Sequence, residues 1–190
     1  MEPELKKIVY SRDAIEFVTV AVQYCGYLET FEDEDTIALT DKLTKLLPLL
    51  YLKVSMLPET ALQDDENPEI EVTEDMYNYI FSRLFAVYAK DDAYLEVFVE
   101  DMKFSDTPIG ASISEDLTDI YQDLKNFITI YERGIEENMN DALFVCNENF
   151  KLYWGQKLTN VLRALHALKY AAIDVDNEND ESLQSEEEMW

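Results

Sequence analysis

Apolar residues return at three- and four-residue intervals along most of the chain, the spacing that lines one face of an α-helix. The fullest such stripe is Leu117, Ile120, Tyr121, Leu124, Phe127, Ile128 and Tyr131. Ser112 and Glu115 precede it at the spacing of a capping box, in which the serine hydroxyl accepts an early backbone N–H and the glutamate reaches back. Gly134 supplies the stop. The stretch from Ser112 to Gly134 is therefore the helix around which the pattern is organised.

Earlier in the chain, Ser11 can cap a helix reaching about Glu29. One of its faces carries Ile15, Val18, Val22 and Cys25, and another carries Phe17, Ala21, Tyr24 and Leu28. Only the strip of Arg12, Glu16, Thr19 and Gln23 is polar, which makes this helix a candidate for the centre of a bundle, and Glu16 reads as a salt-bridged rim residue in preference to a site carboxylate. Leu39, Leu43, Leu46, Leu47, Leu50 and Val54 predict a second helix, which Pro48 should kink or split by removing a backbone donor. Thr73 opens a third, with Glu74 and Asp75 at the positive end of its dipole. Asp91 and Asp92 end it and can cap a shorter helix, AYLEVFVEDMKF, with Leu95, Phe98 and Met102 inward. Its β-branched content leaves a short strand open there. The last apolar run begins at Met139, Leu143, Cys146 and Phe150 and changes phase near Gly155 before Leu158, Val161 and Leu165. This is either one helix that adjusts or two helices joined there.

The pattern predicts an all-α, single-domain helical bundle of about six or seven helices. Residues 1–10 read as an N-terminal extension and 11–173 as the bundle, with an exposed acidic loop at 58–72 that has two prolines, six acids and no base. Residues 174–190 carry eight acids and no base and read as a disordered tail.

Composition narrows the function more by exclusion than by assertion. The formal net charge of -26, from 41 acids and 15 bases, leaves no basic stripe for direct nucleic-acid binding and suits a basic protein partner. With 4 glycines and no phosphate-cradling cluster, a dinucleotide-binding fold is disfavoured. Cys25 and Cys146 lie among apolar neighbours as buried small hydrophobes, with no disulfide or zinc spacing, as in a reducing cytoplasm. The longest apolar run, Leu46 to Leu52, is far short of the roughly 18 residues that suggest a membrane span.

His166 is the one histidine and reads as a packing or surface residue. Nucleophilic catalysis with a histidine base therefore has little to stand on. The Glu-x-x-His pairs of di-metal bundles are absent from the sequence. Carboxylates alone can hold magnesium, a hard cation. Glu96 and Glu100 on one segment, with Asp116, Asp119 and Asp123 on the next, form the candidate metal set. The competing expectation is that these acids meet Lys151, Lys157, Arg163 or Lys169 across the bundle. Phe150, Tyr153 and Trp154 beside Gly155 either line a pocket at a helix break or pack the core.

Four stretches carry a resemblance. AIEFVTVAVQYCGYLE, LLPLLYLKVSMLP, DDAYLEVFVEDMKFSDTPIGASISEDLTDIYQDLKNFI and ALFVCNENFKLYWGQKLTNVLRALHALKY resemble the bacterial domain of unknown function 5063 family from about Ile15 to Tyr170. The resemblance implies a cytoplasmic, helical bacterial protein and brings no catalytic residues with it. The expectation is an acidic, non-enzymatic interaction or regulatory protein that needs no cofactor. The alternatives are a magnesium-dependent nucleotide hydrolase using the carboxylate set and a mimic of nucleic acid.

Overall fold

Helix α5, Ile113–Glu132, forms where the strongest stripe predicts it and is covered on most sides, with twelve of its residues buried. Leu117, Ile120, Leu124 and Phe127 are its core positions, each side chain contributing about 2 kcal/mol by leaving water. The computed structural model describes residues 2–32, 35–63, 68–96 and 109–187, with side chains described from residue 5 to residue 171 of these. The remaining helices are α1 Glu2–Val9, α2 Arg12–Thr30, α3 Thr36–Ser55, α4 Glu74–Tyr88, α6 Glu136–Asn149 and α7 Gly155–Glu187. They pack as an all-α bundle in which α2, α4, α6 and α7 all meet α5. Helix α3 closes the bundle between α2 and α7, and α1 lies on α6.

Local chemistry sets the helix starts. Ser11, Thr73 and Ser112 accept from the backbone N–H three residues on, at 3.2, 3.3 and 3.2 Å, as their positions predict. Asp35 does the same for α3 at 2.7 Å. At α5 the cap is reinforced by Asp92, which accepts from the Ser112 hydroxyl at 2.6 Å and from Ser114 N–H at 2.8 Å. Asp92 thus caps α5 across the fold rather than a short helix following it. Residues Ala93–Leu95 form strand β1, antiparallel to β2, Gly110–Ser112, with Tyr94 opposite Ala111. The short helix expected at 93–104 is thereby corrected at its start, because pairing with β2 satisfies backbone groups that one helical turn would leave open. Leu95, expected to point inward, is exposed, because the strand turns Tyr94 and not Leu95 toward α5, and Phe98 and Met102 lie outside the described residues.

Three further expectations are refined or corrected. The N-terminal extension at 1–10 carries α1, whose Leu5 and Val9 are buried. Of the two outcomes expected at Pro48, kink or split, the split does not occur: α3 runs through the exposed proline as one helix. Helix α2 buries Phe17, Ala21, Tyr24 and Leu28, but Ile15 and Val22 remain at the surface, so α5 and not α2 is the central helix. Cys25 and Cys146 are free and buried, as expected. Helix α7 is described by its backbone alone beyond residue 171, so the expected disordered tail at 174–190 lies outside the described side chains. Among the described residues no helix is long and apolar enough to cross a membrane.

The change of apolar phase near Gly155 is a single π turn, Phe150–Trp154, that joins α6 to α7 without a break. A Cβ on Gly155 would stand 2.4 Å from the Phe150 carbonyl oxygen and 2.8 Å from its ring, so the widened turn requires glycine. Trp154 is fully buried beneath it and donates to Cys146 O at 3.1 Å.

Candidate functional site

One end of α5 turns a row of acids toward α4, the hairpin and the π turn. Asp116 and Asp119 are buried, which would penalise both charges were they left alone. Neither is. Lys157, one turn into α7, places its ammonium 2.8 Å from Asp116 Oδ1 and 2.9 Å from Asp119 Oδ2. Tyr94 of β1 donates to Asp116. Tyr77 of α4 and Tyr153 of the π turn donate to Asp119 at 2.8 and 2.6 Å.

The lysine is itself half-enclosed, and burial works against its charge. The hydrogen bonds to the two aspartates outweigh that cost and raise its pKa. Burial raises the Tyr77, Tyr94 and Tyr153 hydroxyls as well, Tyr153 to about 12, and each aspartate acceptor adds to it. These phenols are thereby kept as donors across the neutral range. The Lys157 ammonium also lies 5.2 Å from the centre of the Tyr153 ring, within cation–π range. A cation and three hydroxyls thus satisfy two carboxylates, a closed polar network inside the bundle.

Asp123, one turn further along α5, stands apart from that network. Asn149, the last residue of α6, donates to its Oδ1 at 2.6 Å. Burial, with a smaller contribution from the charge of Asp119, lifts its pKa to about 6 against the opposing Asn149 hydrogen bond. The carboxyl lines a recess of about 340 Å³ between α5, α6, the π turn and residues 68–70. Asn126, on the same wall, accepts the N–H groups of Glu71 and Val72 at 2.8 Å each. With Asn140 and Asp141, which hold Ala61 O and Gln63 N–H, it fixes the described parts of the 58–72 segment to the bundle. The acidic connection is therefore tied down by amides and a carboxylate.

Of the candidate metal set, Asp116 and Asp119 come together on Lys157, and Asp123 faces Asn149 instead. Glu96 lies just past β1, its backbone N–H bonded to Ile109 O at 2.9 Å, and Glu100 is outside the described residues. Among the described residues no three His, Cys, Asp or Glu side chains are placed to hold one ion. Glu16 is clamped by Arg12 at 2.7 Å and Lys53 at 2.5 Å, which hold it down to about 2. His166 is exposed and packs its ring at a tilt against Tyr170. Of the aromatic group, Trp154 packs the core and Tyr153 lines the recess. The sequence reading named Asp92 only as a helix cap and gave Tyr77, Tyr94, Asn126 and Asn149 no role at the site. The one available signal was the count of 12 tyrosines.

No curated protein matches the chain. Among solved structures, the crystal structure of protein BF1032 from Bacteroides fragilis superposes with a TM-score of 0.77 at 46% identity, covering 86% of this chain and 96% of that one. A family model described as "Domain of unknown function (DUF5063)" matches residues 8–171, and the chain belongs to that family.

Proposed function

We propose that the protein is a non-enzymatic interaction protein that docks a basic protein partner against its acidic surface. The observation supporting this reading is the division of charge between interior and surface. The buried aspartates of α5 are neutralised by the chain's own donors. Several surface bases are paired with acids of the same chain, Lys6 with Glu136, Lys125 with Glu29, Arg133 with Glu71 and Lys169 with Asp41. An excess of 41 acids over 15 bases then leaves a negative field around the body, which accelerates encounter with a basic partner and selects against acidic ones. Imitation of nucleic acid is the special case in which that partner is a DNA-binding protein. A magnesium-dependent hydrolase would have to take Asp116 and Asp119 from Lys157 and the tyrosines, breaking a buried ion pair each time it loaded its metal.

The test is capture on the immobilised protein at about 0.05 M salt and release at about 1 M, where the screening length falls to about 3 Å. The expected result is one basic protein at fixed stoichiometry, with a salt-dependent affinity when the pair is reconstituted from pure components. Recovery of no such partner, or of basic proteins in proportion to their charge alone, overturns the reading.

A further inference from the structure

The recess beside the π turn has a floor and a wall of different chemistry. Phe127, Ile130, Ala142 and Cys146 make it apolar below, and Asp123 stands at its side with Glu69 on the same lining. No lysine, arginine or histidine is among the residues that line it. Among the described residues only Asn149 donates to Asp123, and it uses Oδ1. The other carboxylate oxygen keeps its acceptor capacity, and no side-chain polar atom among the described residues is sealed away without a partner. An anion entering this space would meet two carboxyl groups and no cation. A neutral molecule would leave the carboxylate uncompensated. A cation with an apolar body satisfies both surfaces at once, through a charge-assisted hydrogen bond on the wall and burial on the floor.

We propose that this recess is a binding site for a small organic amine, its ammonium on Asp123 and its hydrocarbon portion against Phe127, Ile130 and Ala142. A volume of about 340 Å³ is within the range of small-molecule sites. The π turn contributes Tyr153 to the lining, and such turns recur at functional positions. The site is independent of charge-driven docking of a basic protein, which needs the surface and not a cavity.

Benzylamine, benzyl alcohol and benzoate are suitable probes, titrated into the isotope-labelled protein at about 0.15 M salt to suppress surface association. Benzylamine is expected to saturate and to shift the amides of Asp123, Asn126, Val145 and Asn149. The alcohol and the carboxylate are expected to bind more weakly by about tenfold or more, as loss of one charge-assisted hydrogen bond implies. Asp123→Asn should abolish the preference for the amine over the alcohol, and Val145→Phe should block both by filling the space. Unsaturating shifts spread over the acidic surface, or benzylamine binding unchanged in either variant, would overturn the proposal.

Discussion

Lys157 makes two buried carboxylates tolerable, and its removal isolates that effect. Lys157→Met keeps most of the side-chain volume and leaves Asp116 and Asp119 without a cation, so a loss of about 3 kcal/mol is expected from urea unfolding. Adding Asp116→Asn and Asp119→Asn to that variant should recover much of the loss, because the charges that needed the lysine are then gone. Asp123 gives the opposite sign. An acid whose pKa rises on folding stabilises the folded state while protonated, fully so below its unfolded value of about 4. That contribution disappears as pH rises through about 6. At pH 7 the folded protein therefore carries an ionised Asp123 at a cost of about 3 kcal/mol. Asp123→Asn should raise stability by about that amount at pH 7 and leave it unchanged near pH 4, and equal effects at both would contradict the assignment. At this scale the caps were legible, since Ser11, Thr73 and Ser112 act on N–H groups three residues away. The tyrosines on the aspartates were not. Tyr77, Tyr94 and Tyr153 come from α4, β1 and the π turn, and no local spacing announces a contact made only by tertiary packing.

The joint between α6 and α7 shows how an element departs from its ideal pattern. Its phase change was visible in the spacing of Phe150, Trp154 and Leu158, but a break and a π turn shift the stripe alike. The deciding feature is the Phe150 carbonyl against Gly155, which only coordinates reveal. Gly155→Ala is expected to cost about 2 kcal/mol through that overlap, and to speed hydrogen exchange in the turn before the rest of α7. The end of α4 offers a converse case. Ala89 sits at φ 41°, a conformation that suits glycine, so Ala89→Gly should stabilise the fold by about 1 kcal/mol in thermal unfolding. Helices α2, α4 and α5 were readable to within a residue or two because caps and stripes agree there. Helix α1 and the hairpin are too short for a period to register, and both are fixed by contacts with distant residues.

Over the whole molecule, charge is the property that composition states most plainly and position most alters. A chain with a formal charge of -26 repels itself, so its melting temperature should rise as salt goes from about 0.02 to 0.5 M, and a fall would show that surface ion pairs outweigh the repulsion. The carboxylate row of α5 was legible as a row. What it meets was not, because a sequence shows acids three and four apart without showing Lys157 from another helix between them. The account's central claim is that Asp116 and Asp119 serve the fold through Lys157 and that the acidic row of α5 holds no metal ion. Calorimetric titration of manganese into the wild-type protein and into an Asp119→Asn, Asp123→Asn variant tests it most directly. Weak, salt-suppressed and non-saturating heats of the same size in both are predicted. A saturable one-to-one site in the wild type that the variant lacks would contradict it.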